Sequence, residues 1–182
     1  LYWYVDDKIS LELYARYFLD EELSRATRAY GAYEDGKFVG ILLADMKNEP
    51  KKYRSTWRSA YIRFFDWVQH HVAGEGVEAY DTANREMLQA FCEKRRPDGE
   101  IIFLAADPNS KSKGIGTALL SAFEKDEQGK LVYLYTNNAC TYQFYEHRGF
   151  VREGEQQVEL NLGKKKVPLT CLLYAKELGR KL

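Results

Sequence analysis

The sequence predicts an α/β (α+β) fold in which helices flank a sheet, and three patterns carry that prediction. Asp35-Gly36 stands between two apolar runs and is a strong β-hairpin signal. Between Ile101 and Phe123 an apolar strand runs through a polar, glycine-containing loop into a helix. Two alternating segments, 157–162 and 167–175, indicate a second hairpin. At 182 residues the chain has the length of a single domain, 1–182, with a substantial core.

Composition argues against several classes of partner. Lys and Arg total 27, as do Asp and Glu, so the formal net charge at pH 7 is zero and offers no field for nucleic acid or an anionic membrane. No apolar run approaches the ~20 residues that a bilayer span needs, and no signal-like segment appears at the start. Cys92, Cys140 and Cys171 lack metal-ligand spacing. We therefore expect a cytoplasmic protein with reduced thiols and no metal.

The N-terminal part of the chain predicts a helix followed by a hairpin. Leu1–Val5 suits either a first strand or the end of a helix, and its pattern does not decide between them. Ile9–Leu23 has apolar positions at helical spacing and predicts an amphipathic helix. Thr27–Tyr33 and Lys37–Met46 are the two strands of the hairpin that turns at Asp-Gly.

Residues 48–98 predict a helical insertion ahead of the next strand. Six apolar positions from Tyr53 to Val68 recur at helical spacing and predict one long helix. A second helix is expected at 81–94, with Asp81 as its possible N-cap. Two interpretations stay open: a helical hairpin that only packs on the sheet, or a cap with tyrosines lining a substrate pocket.

The loop between Lys111 and Thr117 is the first segment that indicates chemistry. A glycine-containing turn at a helix start exposes unpaired backbone N–H groups beside the positive end of the helix dipole, which suits a phosphate and most naturally a pyrophosphate. The dinucleotide fingerprint would need glycine where Leu119 stands, and the Walker loop would need Lys-Ser/Thr after Gly116, where Thr117-Ala118 stands. Both spacings are excluded, and the pattern basic-x-x-Gly-x-Gly is left.

A second motif follows a further strand. Lys130–Thr136 is an apolar run bounded by turn residues and predicts a buried strand. The next segment, Asn138–Phe150, predicts a short helix, for which Asn138 is a suitable N-cap and Gly149 a suitable left-handed C-terminal cap.

In combination, Lys111-x-x-Gly114-x-Gly116 and the Asn138–Phe150 segment resemble the two motifs of the GCN5-related N-acetyltransferase (GNAT) superfamily. These read Gln/Arg-x-x-Gly-x-Gly/Ala and Asn-x-x-x-x-x-aromatic-Tyr-x-x-x-Gly-Phe, so the chain departs from them in carrying Lys111. The resemblance implies a central mixed, mostly antiparallel twisted sheet whose cofactor strand is the one that runs into the Lys111–Thr117 loop. The 48–98 insertion before that strand departs from the plan of the smallest members. The resemblance also implies direct acetyl transfer, in a ternary complex, from acetyl-CoA to a primary amine.

The resemblance further implies roles for particular residues. A bulge in the cofactor strand, aligned with Leu104–Ala106, would hold the pantetheine arm and the thioester carbonyl. Tyr145 matches the tyrosine that many members use as general acid towards the coenzyme's sulfur, and a phenol with a pKa near 10 stays protonated at neutral pH. The residues aligned with coenzyme contacts are Leu104, Ala105, Ala106, Lys111, Ser112, Lys113, Gly114, Ile115, Gly116, Thr117, Asn138 and Tyr145.

The general base and the acceptor stay open at this point. Glu100 at the start of the cofactor strand is a candidate base, with Asp107 and Glu86 as alternatives and a water relay as a third route. The acceptor is a small-molecule or peptide amine, and the protein is a monomer or a homodimer. The alternative function is a non-catalytic CoA-binding or protein-interaction module.

Overall fold

The computed structural model describes residues 8–53, 76–162 and 165–179. The strands within these ranges form one sheet. Its strands lie in the order β1-β2-β3-β4-β6-β5. In chain order the elements are α1 Lys8–Arg25, β1 Arg28–Glu34, β2 Lys37–Met46, α2 Gly76–Lys94, β3 Gly99–Ala106, α3 Ile115–Asp126, β4 Leu131–Asn137, α4 Gln143–Glu146, β5 Val151–Leu162 and β6 Lys165–Glu177. The predicted segment Leu1–Val5 lies outside the described residues, as does the predicted long helix after Tyr53.

The sheet is mixed and mostly antiparallel, as the resemblance implies. β3 and β4 are its parallel pair, and the other neighbouring strands pair antiparallel. Both predicted hairpins form. At the first, Asp35 and Gly36 have φ of 49° and 77°, and two positive φ values produce the turn whose twist matches that of the strands. The parallel pair needs a crossover, which α3 supplies.

β3 and β4 separate soon after they meet, and we call the opened stretch the strand fork (101–106 of β3 and 134–137 of β4). Their pairing covers Gly99 with Val132 and Glu100 with Tyr133. β3 stays paired with β2 up to Ala106, and β4 stays paired with β6 up to its own end. The register of β2 against β3 shifts so that Ile102 is the extra residue. The motif alignment predicted the bulge at Leu104–Ala106, whereas in the structure it lies two residues before Leu104.

Each face of the sheet buries a separate core. On the α3 face, α3 packs on apolar side chains from four strands, and the buried members are Val39, Leu42, Ala44, Met46, Ile101, Ile115, Leu119, Leu120, Phe123, Val132, Leu134, Phe150, Leu172, Tyr174 and Leu178. On the α2 face the buried members are Ala83, Met87, Phe91, Leu131, Tyr133, Cys171, Leu173 and Ala175. Successive residues of β4 enter opposite cores, which is why that strand is a continuous apolar run in the sequence.

The start of α2 corrects one expectation. The helix begins at Gly76, so Asp81 is an exposed residue inside it and not its N-cap. Tyr80, Ala83 and Met87 pack on the α2 face, and tertiary burial of this stripe extends the helix past the local capping signal. None of the helices within the described ranges has the length and apolar character of a membrane span.

Candidate active site at the strand fork

The strand fork leaves backbone groups of β3 open on one side. A strand presents its N–H and C=O groups to both neighbours, and β2 takes those on one edge of β3 through Ala106. On the other edge, residues 101–106 have no partner strand because β4 has diverged. Unpaired strand edges of this kind hydrogen-bond to an extended ligand, as in strand addition. Leu104, Ala105 and Ala106 lie in this open arm.

The loop after β3 leads to a free helix N-terminus. Gly114, the residue before α3, has φ of 82°, a left-handed conformation that favours glycine, and no side chain caps the helix there. Ala118 donates the first intrahelical bond, to Gly114 O at 2.9 Å. The N–H groups of Ile115, Gly116 and Thr117 therefore lack intrahelical acceptors, and Lys111 and Lys113 are exposed beside them. This geometry suits an anionic ligand.

Tyr145 lies in α4 with its ring against the α3-face core. The ring makes edge contacts with Phe144 and Phe150, with centroids 5.2 Å and 5.7 Å apart. Burial, with a smaller contribution from Cys140, raises the pKa of the Tyr145 phenol to about 12. The hydroxyl is therefore a proton donor at neutral pH, and within the described ranges it has no hydrogen-bond partner.

Arg148 connects the Tyr145 segment to α3, and the sequence reasoning missed it. Its guanidinium lies 3.6 Å from the centroid of the Phe144 ring, donates to Phe144 O at 2.9 Å, and donates to Thr117 Oγ1. A Cβ on Gly116 would come within 3.3 Å of the Phe144 ring. The glycine therefore permits a close approach of α4 to α3, and only the fold identifies what approaches.

Asn138 does not cap α4, contrary to the expectation from its sequence position. The residue before α4 is Tyr142. Asn138 N donates to Thr170 O at 3.1 Å, and its Oδ1 accepts from Thr170 N at 3.0 Å. The side chain thus extends the β4–β6 ladder by one bond past the end of β4, at the mouth of the strand fork, because an Asn amide can imitate a backbone carbonyl.

Glu100 lies at the base of the strand fork and turns to the α2 face. Its Oε2 accepts from Arg25 Nη2 at 2.8 Å and from the Tyr133 hydroxyl at 3.3 Å. The side chain is 14% exposed, and burial raises the pKa of its carboxyl while Arg25 opposes the rise. A carboxylate with a raised pKa is a better base than an exposed one.

A second buried carboxylate shares the same guanidinium. Glu22 lies 3.3 Å from Arg25 Nη1, and burial raises the pKa of the Glu22 carboxyl to about 7 although Arg25 opposes it. Tyr133 and Tyr135 stand next to this group with their ring centroids 5.5 Å apart. Nothing in the sequence pairs α1 with a strand that begins 74 residues later, so Glu22 and Arg25 could not be found in advance.

The two alternative bases, Asp107 and Glu86, make hydrogen bonds that indicate structural roles. Asp107 Oδ1 accepts from Asn109 N at 2.9 Å, which shapes the turn after β3, and this bond lowers the pKa of the Asp107 carboxyl. Glu86 accepts from Gln156 at 3.1 Å over the edge strand β5, and β6 and β4 lie between that strand and β3. Of the three carboxylates, Glu100 is the one at the base of the fork, where β3 and β4 are still paired.

Comparisons with known proteins agree with this architecture. A family model described as an acetyltransferase (GNAT) domain matches residues 66–152, which include the strand fork, the loop and the Asn138–Phe150 segment. No curated protein sequence matches the chain.

Solved structures of similar fold are known at low sequence identity. The polyamine N-acetyltransferase of Drosophila melanogaster, which catalyses the formation of N-acetylagmatine, is 13% identical over 94% of each chain with a TM-score of 0.53. A GNAT-family acetyltransferase from Bacillus cereus is 16% identical over 94% of this chain and 81% of its own, with a TM-score of 0.45. The Drosophila structure shows that the fold is shared.

Proposed function

This chain contains a GNAT acetyltransferase domain and belongs to the GNAT superfamily, and from that premise we propose that it is an N-acetyltransferase. The acetyl group passes from acetyl-CoA to a primary amine by direct attack in a ternary complex, within one domain of residues 1–182 that carries the 48–98 insertion. The observation that carries the proposal is the strand fork, whose β3 arm leads through the loop to the uncapped N-terminus of α3.

Donor binding falls to the α3 side of the fork. The N–H groups from Gly114 to Thr117 take the pyrophosphate, with Lys111 and Lys113 as neighbouring positive charges. The open edge of Leu104–Ala106 takes the pantetheine arm through backbone hydrogen bonds, and Asn138 at the mouth of the fork contacts the same arm. This assignment is supported by the absence of competing partners for those helix N–H groups among the described residues.

Acetyl transfer requires a proton acceptor for the amine, a group that stabilises the oxyanion and a proton donor for the sulfur, and we assign a group of this chain to each role. Glu100 takes one proton from the attacking ammonium, directly or through water, so that the nitrogen lone pair is free. Backbone N–H groups of the open β3 edge stabilise the oxyanion that develops as the C–N bond forms. Tyr145 donates a proton to the departing sulfur as the C–S bond breaks. The phenol can donate because it is fully protonated at neutral pH. The nitrogen loses its second proton to solvent after the C–N bond has formed, and solvent restores the Tyr145 phenol.

We propose a small-molecule amine as the acceptor. Support comes from the α2 face of the fork, where Glu22 and Glu100 share one guanidinium, that of Arg25, so that the cluster is negative overall when both carboxyls are ionised. Two tyrosines next to it add phenol oxygens for a cationic amine. The Drosophila enzyme of similar fold also acts on an amine of this class. A peptide amine is the other outcome that an acceptor screen would report.

The cellular setting follows from the same premise. We propose a cytoplasmic monomer or homodimer that acts without nucleic acid or membrane. Cys92, Cys140 and Cys171 are free thiols in the structure, which suits a reducing compartment.

The test is release of free thiol from acetyl-CoA in the presence of a panel of diamines, guanidino amines, amino acids and lysine peptides, alongside calorimetry with CoA. We expect CoA binding and turnover with a small amine. Binding without turnover on any amine would favour a non-catalytic coenzyme-binding module, and failure to bind CoA would contradict the proposal at its base.

A further inference from the structure

Glu34, the last residue of β1, reaches across to the loop that precedes α3. Its Oε2 accepts from the Ser110 hydroxyl at 3.0 Å and from Lys111 N at 3.2 Å, and its Oε1 accepts from the Ser112 hydroxyl. Donor and acceptor are 76 to 78 positions apart in the sequence. One carboxylate therefore holds three consecutive residues of the loop.

The carboxylate is ionised when it makes these contacts. Donation from the hydroxyls of Ser112 and Ser110, and then from backbone N–H groups of Lys111 and Ser112, lowers the pKa of the Glu34 carboxyl. Hydrogen bonds to an ionised acceptor are stronger than hydrogen bonds to a neutral one. Water therefore displaces the Glu34 carboxylate from the loop less readily than it would displace hydrogen bonds between neutral serine side chains.

Glu34 is itself held by the hairpin. The turn that follows it has two positive φ values, at Asp35 and Gly36, and β1 stays paired with β2 up to Glu34. The same end of the hairpin holds the start of the loop, because Val39 O accepts from Asp107 N at 2.8 Å. The loop from Asp107 to Ser112 is thus fixed to a rigid part of the sheet.

These contacts divide the loop into two halves. The first half, Ser110–Ser112, is bound by Glu34, whereas the second half, Gly114–Thr117, ends in N–H groups that point out of the helix start without partners. Glu34 takes none of the donors that the second half offers, so it does not compete with an anion for them.

We propose that Glu34 is a positioning residue for donor binding, which holds the first half of the loop so that the N–H groups of the second half are already arranged for the pyrophosphate. The inference rests on the proposed function, because it needs the loop to bind coenzyme A. A preorganised site binds more tightly since less chain entropy is lost on binding. The advantage outweighs the repulsion between two anions, which exposure to water screens.

The test compares Glu34→Ala and Glu34→Gln with Glu93→Ala, a control on an exposed glutamate of α2. We expect Glu34→Ala to raise the KM for acetyl-CoA and the calorimetric Kd for CoA about tenfold, with kcat within about twofold, because only binding is affected. Glu34→Gln keeps one acceptor oxygen and should raise both constants about threefold. The control should change neither.

A shortened donor separates positioning from a general loss of structure. S-acetylpantetheine lacks the pyrophosphate, so its kcat/KM should be the same in wild type and in Glu34→Ala. The inference would be overturned if Glu34→Ala lost kcat/KM equally with both acetyl donors, or if its CoA affinity were unchanged. Tighter CoA binding in Glu34→Ala would also overturn it, because Glu34 would then be an anion that competes with the pyrophosphate. If wild type binds CoA without turning over, the Kd values decide, whereas a wild type that does not bind CoA overturns both proposals.

Discussion

The two faces of the sheet at the strand fork provide different kinds of chemistry. On the α3 face, the groups that we assign to the acetyl donor are backbone N–H groups at the start of α3 and the Tyr145 phenol, whose ring packs on the apolar core. On the α2 face, a guanidinium and two carboxylates of low exposure meet at the base of the fork. Backbone groups can be arranged by a short stretch of chain, whereas the second cluster draws on α1 and β3. The α3-face half of the candidate site is therefore formed by a local motif, and the α2-face half by packing between distant segments.

The largest expected effect is on the α3 face. Tyr145→Phe should lower kcat about 100-fold, because the phenol would no longer protonate the leaving sulfur, while the KM for acetyl-CoA changes little. Steady-state thiol release measures both constants. Tyr142→Phe is the matched control, since Tyr142 is a half-buried tyrosine of the same short segment. An undiminished rate in Tyr145→Phe would remove the acid role.

The α2 face is tested next, at the candidate base. Glu100→Gln should lower kcat/KM about 30-fold near neutral pH. In wild type the acidic limb of the pH profile should lie above the ordinary glutamate range, since burial raises the pKa of Glu100, and in the variant that limb should disappear. Glu86→Gln serves as control, because Glu86 lies over the edge strand. Equal profiles for the two variants would mean that water, and not Glu100, takes the proton.

The close packing of the α3 face leads to a prediction about the free energy of unfolding. A Cβ at Gly40 would lie 2.7 Å from Ile115 Cγ2 and 3.1 Å from Ala105 O, so Gly40→Ala should lower the free energy of unfolding by about 1.5 kcal/mol. Urea unfolding measures the loss. In Gly31→Ala the new methyl meets ring edges of the exposed Tyr33 and Phe38, which can move. If the two variants lose the same stability, the contrast in packing is wrong.

The smallest effect concerns Glu22 and the pH dependence of stability. The pKa of this carboxyl rises from 4.5 to about 7 on folding, so the folded state holds its proton longer. The free energy of unfolding should therefore fall as pH rises from about 4.5 to about 7 and stay lower above that. Glu22→Gln removes this fall.

At pH 8 the variant should be more stable than wild type by about 1 kcal/mol, less than the full shift because its ion pair with Arg25 is also lost. Urea unfolding at pH 5 and pH 8 measures the difference, with the exposed Glu93→Gln as control. A wild type whose stability does not change between those pH values would contradict the burial of an ionisable Glu22.

Much of the fold was predictable because its signals are local. The Asp35-Gly36 hairpin, the strand–loop–helix unit around Gly114 and the C-terminal hairpin all depend on residues a few positions apart, and all are confirmed. The errors came where packing competes with a local signal. Asp81 could cap a helix, but burial of Tyr80 extends α2 beyond it. Asn138 could cap α4, but it pairs with Thr170.

The sequence by itself predicted the candidate donor-binding half of this protein. A strand, a loop ending in Gly114 and Gly116, and a tyrosine segment identified the superfamily and predicted the coenzyme, because backbone N–H groups at a helix start are arranged by neighbouring residues. Tertiary structure alone decided the rest: the opening of β3 from β4, the carboxylates around Arg25, and the contact of Glu34 with a loop 76 residues away. Side chains that meet only when distant segments pack leave no pattern along the chain.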